Sequence, residues 1–423
     1  MSRSSCAVTA GIAVALCLAV ASGCSDMAGS SQPASSQAAP KPPTVSAAHV
    51  SISPRNGRGR VVPGRPVTVA VRGGSLTSVT LDGGGMHVHG HLVRSTAVWQ
   101  FRQTLHTATR YTVHATAIDA DGRSVSETSR FRTLVPAQVE NTTIFEGYQQ
   151  TYGVGMPIIL TFDHPVVDKA AVEQALEVRT SKPVVGAWYW DGDSTAYFRP
   201  RTYWPAQTTV HFIGHLDGVQ VSPGVYGAHT LTQTFRIGRS LIAVADTSTH
   251  QVQIYLDKNL YGNWPMSSGR PGDDTPNGTY LSIEKHNPEE MKGPGYDIQV
   301  PWSVRFTWSG DYLHDAFWSV GQQGFENVSH GCINLSPEHA KAYYELSVPG
   351  DPVTVSGSPR GGVWGNGWTV WFLTWRQLLQ GSALHQAVRA GPSGSTFVHP
   401  GRIRGGRAKP PLQAPLPGNA EAA

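Results

Sequence analysis

Ser329-His330-Gly331-Cys332-Ile333-Asn334-Leu335-Ser336-Pro337-Glu338 joins a glycine-loosened loop around a thiol to the start of a helix. Ser336, Pro337 and Glu338 combine an N-cap, a proline at the first helical position and an acid in the first turn. The spacing predicts a helix to about Leu346, with Ala340, Tyr343 and Tyr344 facing inward. That helix is short, and the sequence around it reads as strands. Leu241 to Asp246 and Gln251 to Leu256 alternate as a hairpin, and Thr275-Pro276-Asn277-Gly278 turns into Thr279 to Glu284. His286 to Tyr296 is polar and glycine-bearing, as suits a flap over a site. Val304 to Trp308 and Tyr312 to His314 form a second hairpin across Ser309-Gly310-Asp311, and Pro352 to Val355 closes as a strand.

A chain of 423 residues implies two to four domains. With 46 glycines, 30 prolines and 15% charged residues, short apolar runs separated by turns predict a mainly β protein. Residues 46–135 alternate as Val67 to Val71, Val79 to Leu81, Ala97 to Phe101 and Tyr111 to Ala115, the pattern of a small immunoglobulin-like β-sandwich. Residues 136–238 repeat it, with one short helix near Asp168 to Leu176. Residues 239–357 hold the thiol loop. Residues 358–390 carry Trp364, Trp368, Trp371 and Trp375; the last three fall on one helical face, predicting a strap packed against the preceding unit. Residues 391–423 have the composition of a disordered tail. A net charge of +4 gives no reason to expect nucleic acid binding.

Arg3 precedes an apolar run from Ala7 to Ala21, too short to span a bilayer comfortably and built like a secretory signal, residues 1–23. Ala21-Ser22-Gly23-Cys24 resembles a bacterial lipobox, which implies a lipidated Cys24 and a flexible tether over 24–45 rich in Ser, Ala and Pro. The expected location is therefore outside the cytoplasm, membrane-anchored by lipid and facing the wall or periplasm. Removal of the signal leaves Cys332 without a partner in the chain. An odd thiol in an exported protein points to reactivity or intermolecular pairing; the plainer reading is a small buried hydrophobe.

A nucleophilic cysteine needs a nearby base. His330 is two residues away, but adjacent loop residues rarely align for proton transfer. His314, at the end of a strand, can be brought alongside by sheet pairing. Gly331 lets the backbone approach a ligand, and the Gly331 and Cys332 amides could form an oxyanion hole.

His314, followed after fourteen residues by Ser329-His330-Gly331-Cys332-Ile333-Asn334, resembles the signature of the YkuD-type L,D-transpeptidases. The likeness covers about 240–357, and the order of lipoprotein signal, two immunoglobulin-like units, catalytic domain and Trp-rich strap resembles one subgroup. It implies Cys332 as nucleophile, His314 as base and later acid, and Ser329 orienting His314 through its carbonyl. It implies substrate contacts at Tyr296, Ser309, Gly310, Trp318, His330 and Asn334. The implied reaction forms 3→3 cross-links between peptidoglycan stem peptides, with tetrapeptide donors and no cofactor, and carbapenems acylate the same cysteine. Some subgroup members hold calcium in the second sandwich; Gly214 to Val219 lacks the acidic cluster, and no metal is expected there or at His87, His89 and His91. The alternatives are an L,D-carboxypeptidase that hydrolyses the stem and a non-catalytic wall-binding lipoprotein.

Overall fold

The computed structural model describes residues 45–92, 96–293 and 296–398. Cys24, the signal, the tether to residue 44 and the tail from 399 lie outside them. The fold is mainly β, with two sandwiches followed by the domain that carries Cys332.

In the first sandwich, a sheet ordered His49–Ser53, Val67–Arg72, Val98–Phe101 packs on one ordered Met86–His89, Ser75–Gly83, Arg110–Ile118, Ser124–Arg132. Alternation places Val67, Val69, Leu81, Val113 and Ala115 in the shared core. His87 and His89 lie on an edge strand; His87 is bonded to Asp82 and meets His89 edge-on, its ring centroid 4.5 Å away.

The second sandwich pairs Thr151–Tyr152, Leu231–Ile237, Thr208–Gly214 and Leu176–Thr180 against a six-stranded sheet. The predicted helix is Lys169–Gln174, capped by Asp168. Two strands of the six-stranded sheet come from the C-terminus: Ala387–Gly391 pairs with Val184–Asp191 and with Gly394–Val398. The expected tail therefore begins with a hairpin, because Val388 and Ala390 find an open sheet edge and a core to enter.

The tryptophan strap also differs from expectation. Trp371 sits in a 3-10 turn, Val370–Phe372, whereas Trp375 opens a separate helix, Trp375–Gln380. Leu373 is extended between them and Thr374 caps the second piece in a capping box with Gln377. A single helical face cannot form across that break. Trp368, Trp371 and Leu378 are buried in the second sandwich's core rather than chiefly against the catalytic unit. The Trp371 indole donates to the Gly155 carbonyl at 2.7 Å, and the buried Arg199 guanidinium lies over its ring while donating to the Val370 and Leu373 carbonyls. Phe372 of this turn reaches the next domain, against Tyr280.

The domain that carries Cys332 stacks a five-stranded sheet, ordered Asn259–Pro265, Gln251–Leu256, Leu241–Asp246, Pro352–Ser356, Gly278–Leu281, near a four-stranded one ordered Glu284–His286, Ser303–Arg305, Tyr312–Asp315, Ile333–Leu335. The helix Pro337–Leu346 starts at Ser336, whose hydroxyl accepts from the His339 amide, and buries Ala340 and Tyr343 between the sheets. The flap is a hairpin of Glu289–Gly293 and Tyr296–Val300.

Glu173 fastens the C-terminal segment to the second sandwich. Its carboxylate is fully buried and accepts from the Trp190 indole, the Ser382 hydroxyl and the Ala383 and Leu384 amides. Glu173→Ala leaves those donors without a partner in a dry site, so a loss of about 3–5 kcal/mol is expected. Urea unfolding reads it, and a change under 1 kcal/mol would mean that water replaces the carboxylate.

Candidate active site

The reactive geometry begins with the strand Tyr312–Asp315. It runs antiparallel to Ser303–Arg305 and parallel to Ile333–Leu335, with His314 opposite Asn334. Leu313 and Ile333 enter the core beside Val304. Alternation turns His314 and Asn334 to the other face, and Cys332 lies immediately before the strand Ile333–Leu335. The sheet thus sets the end of the cysteine loop beside the His314 strand, and leaves His330 exposed.

The loop before Cys332 is clamped from one side. The Ser329 amide donates to the Ser268 carbonyl, and the Arg270 amide donates to that of Ser329. Thr275 donates to the Gly331 carbonyl at 2.7 Å while accepting from the Gly269 amide. The Ser329 hydroxyl donates to the Cys332 carbonyl at 2.6 Å and accepts from the Gly331 amide at 3.2 Å. Gly331 has φ +126°, and an added Cβ would fall 2.4 Å from Asp311 Oδ1. Glycine is required there by both conformation and space.

Two expected roles change. His314 Nδ1 donates to the carbonyl of Asp315, at 2.7 Å, whereas the Ser329 carbonyl is occupied by Arg270. The Asp315 bond protonates Nδ1 and leaves Nε2 as the basic nitrogen. The Gly331 amide, expected in an oxyanion hole, is held by the Ser329 hydroxyl. Any residue type supplies a carbonyl, so nothing in the sequence marks Asp315.

The other expected residues take distinct places. The Gly310 carbonyl accepts the Cys332 thiol at 3.7 Å. Ser309 is engaged on both sides, donating to Asp311 Oδ2 and accepting from the Asn366 amide. Trp318 is half exposed and lies nearly parallel to the His314 ring, 6.0 Å between centroids, as one wall. Asn334 is buried and its side chain donates to Ser319, so it holds the turn behind the pocket rather than lining it. Tyr296 starts the second flap strand; its side chain lies outside the described residues. His286, at the start of the flap segment, is within 4 Å of Glu284 and Glu289.

Asp311 was not legible as a site residue. It is buried, with Oδ2 accepting from Thr307 at 2.6 Å and from Ser309, and with Oδ1 against Gly331. Cys332 keeps part of its surface open, yet its thiol is densely surrounded. Burial, with the Asp311 charge second, pushes the thiol up to about 12. Burial likewise lowers His314 to about 4, against the Asp315 bond. Both groups rest neutral at pH 7.

Residues 240–355 match the L,D-transpeptidase catalytic domain family, and 58–220 match a bacterial Ig domain family. L,D-transpeptidase 5 of Mycobacterium tuberculosis is 36% identical over 346 residues, which cover 78% of this chain and 76% of that protein. L,D-transpeptidase 2 of the same species is 31% identical, covering 75% and 81%. This chain belongs to the L,D-transpeptidase family. A crystal structure of an L,D-transpeptidase from the same species is 31% identical, with a TM-score of 0.43, over 51% of this chain and 96% of the other. As an L,D-transpeptidase, the protein acts on peptidoglycan stem peptides.

Among the described residues, Glu140, Asp163 and His164 bring ligand-type atoms within 4.8 Å of one another. Glu140 already accepts from the Asp163 and His164 amides, which makes the group a turn anchor of the second sandwich.

A neutral resting thiol has a direct consequence for its reactivity. Iodoacetamide should alkylate Cys332 far more slowly at pH 7 than a free cysteine, and the rate should climb well above pH 9. A rate that is flat from pH 5 to 8 would instead mean a preformed thiolate–imidazolium pair. Gly331→Ala should fold but lose at least about tenfold in turnover, because the Cβ displaces Asp311 or the loop.

Proposed function

We propose that this L,D-transpeptidase forms 3→3 cross-links through a Cys332 thioester, with His314 moving the protons. The observation that carries this reading is the His314 Nδ1 bond to the Asp315 carbonyl, which leaves a basic Nε2 on the strand paired with the one that Cys332 leads into. His314 Nε2 takes the thiol proton as Cys332 Sγ attacks the carbonyl between the third and fourth residues of a tetrapeptide stem. The C–N bond breaks, D-alanine leaves with the proton from His314, and a thioester remains. A side-chain amine from the third residue of another stem, losing its proton to His314, attacks that thioester and restores the thiol.

The depressed His314 keeps the base unprotonated well below the usual histidine range. The acid limb of the acylation rate should therefore lie near pH 4 rather than 6.5, since activity needs the neutral ring and its folded value is lowered. The neutral thiol makes attack depend on a bound substrate, which favours transfer within a closed flap over chance reaction with solvent.

The signal and Cys24 support an exported lipoprotein facing the wall, with the two sandwiches as a spacer. Palmitate labelling should disappear in Cys24→Ala; label that persists excludes this anchor.

Intact mass spectrometry tests the chemistry. A disaccharide tetrapeptide should give an adduct equal to the donor less D-alanine, and a carbapenem should add its whole mass, because lactam opening expels nothing. Both adducts should vanish in Cys332→Ala, and acylation should fall by at least about a hundredfold in His314→Ala. If water products dominate at every acceptor concentration, the enzyme is a carboxypeptidase.

A further inference from the structure

The first sandwich carries eleven arginines, no lysine and four acidic residues between 46 and 135. Its net +7 exceeds the +4 of the whole chain, so the remainder is net negative. Arg55, Arg58, Arg60 and Arg65 line one groove of about 680 Å³ together with the hydroxyl-bearing Ser51 and Thr68. All four are exposed, and among the described residues none pairs with a carboxylate; the acids Asp119 and Asp121 are taken by Arg123, and Asp82 by His87.

The fold gathers this charge. The Gly57 and Val61 amides donate to the Arg130 and Arg132 carbonyls, and the Arg132 amide donates to that of Arg58. The loop is thereby stitched to the strand Ser124–Arg132, whose exposed Arg130 and Arg132 join the same edge. A second groove of about 870 Å³ shares Val62 and Arg65 with the first, but Asp168 and Asp217 line it beside Arg102 and its His106 is bonded to Asp217, so the excess of positive charge stays in the first groove. The basic track is the first groove with the exposed edge of Arg130 and Arg132.

Like charges held close without counter-charges repel, and the cost falls when an anion enters. Arginine in place of lysine suits bidentate contact with phosphate. A concave groove fits a strand better than a flat bilayer. The arginine-lined groove has no aromatic residue on which nucleic acid bases could stack. We propose that this track binds a linear phosphodiester polymer with a sugar or polyol backbone, holding the enzyme along such chains independently of its transfer chemistry.

Fluorescence anisotropy of labelled poly(glycerol phosphate) with the full chain tests this. Binding should weaken with salt. Arg55→Gln, Arg58→Gln, Arg60→Gln and Arg65→Gln combined should weaken it at least about tenfold and reduce the slope of log affinity against log salt by about 3. The matching lysine variant should keep the slope and lose affinity. Turnover of a soluble stem peptide should not change in either. Should the fourfold variant melt early, Arg58→Gln and Arg65→Gln singly should each lower the slope by about 0.7. Unchanged affinity in the glutamine variants overturns the proposal. So does single-stranded DNA that binds as tightly as the probe, or binding confined to phosphatidylglycerol vesicles.

Discussion

The parallel pairing of Tyr312–Asp315 with Ile333–Leu335 sets the reactive geometry, because it decides which face His314 takes and where the cysteine loop enters the sheet. Leu313 and Ile333 are fully buried beside Val304 and Leu335. A slip by one residue would drive His314 into that core and turn the apolar pair to the pocket, so hydrophobic burial enforces the register of the polar face. Parallel strands also require a crossover of a dozen residues or more. The 17 residues between Asp315 and Ile333 are that crossover, and they carry Trp318 and the Ser329 turn on the way. The long spacing between histidine and cysteine is thus a property of the topology. Ser267 completes the arrangement by exchanging backbone hydrogen bonds with Asn334 on the far side of the strand.

Within that frame the local electrostatics oppose ionisation. A thiolate beside Asp311 would place two anions in a poorly solvated pocket, and a protonated His314 would be a cation with little water around it. The separated charges of an ion pair are therefore unfavourable at rest. The same low polarity strengthens any hydrogen bond to a developing oxyanion and any proton transfer between aligned groups once substrate fills the space. Asp311 is tolerated because Thr307 and Ser309 donate to one oxygen and because Gly331 offers no Cβ against the other.

The sequence made the strands legible because their apolar residues alternate, and the helix after Leu335 because Ser336, Pro337 and Glu338 mark its start. The pairing of His314 with the cysteine loop was legible through the motif. What the pattern hid were roles played by the backbone. The carbonyl of Asp315 and the occupied amide of Gly331 leave no trace in residue type. Asn334 carries a polar side chain, yet it serves a neighbouring turn. Asp311 read as a turn residue in Ser309-Gly310-Asp311, and only the close approach of Gly331 reveals it. The C-terminal strap failed for another reason: an i, i+3, i+7 spacing assumes an unbroken helix, and the Thr374 cap breaks it.

That strap also links the second sandwich to the reactive loop. Trp371 and Arg199 tie it to the sandwich, as does Glu173, and the Gly153–Pro349 and Gly155–Gly350 backbone bonds join the same sandwich to the catalytic domain. From this fixed base Asn366 reaches over to Ser309, accepting from its amide at 2.9 Å and donating to its hydroxyl at 2.9 Å. Ser309 donates onward to Asp311, and the adjacent Gly310 carbonyl receives the Cys332 thiol. The loop that positions the thiol is therefore held from two domains. Its short backbone turn at Ser309 and Gly310 could not be held so by its own strand alone, because Gly310 has φ +100° and contributes no side chain. The second sandwich is in this sense part of the active site's scaffold, while the basic first sandwich remains free to meet other chemistry.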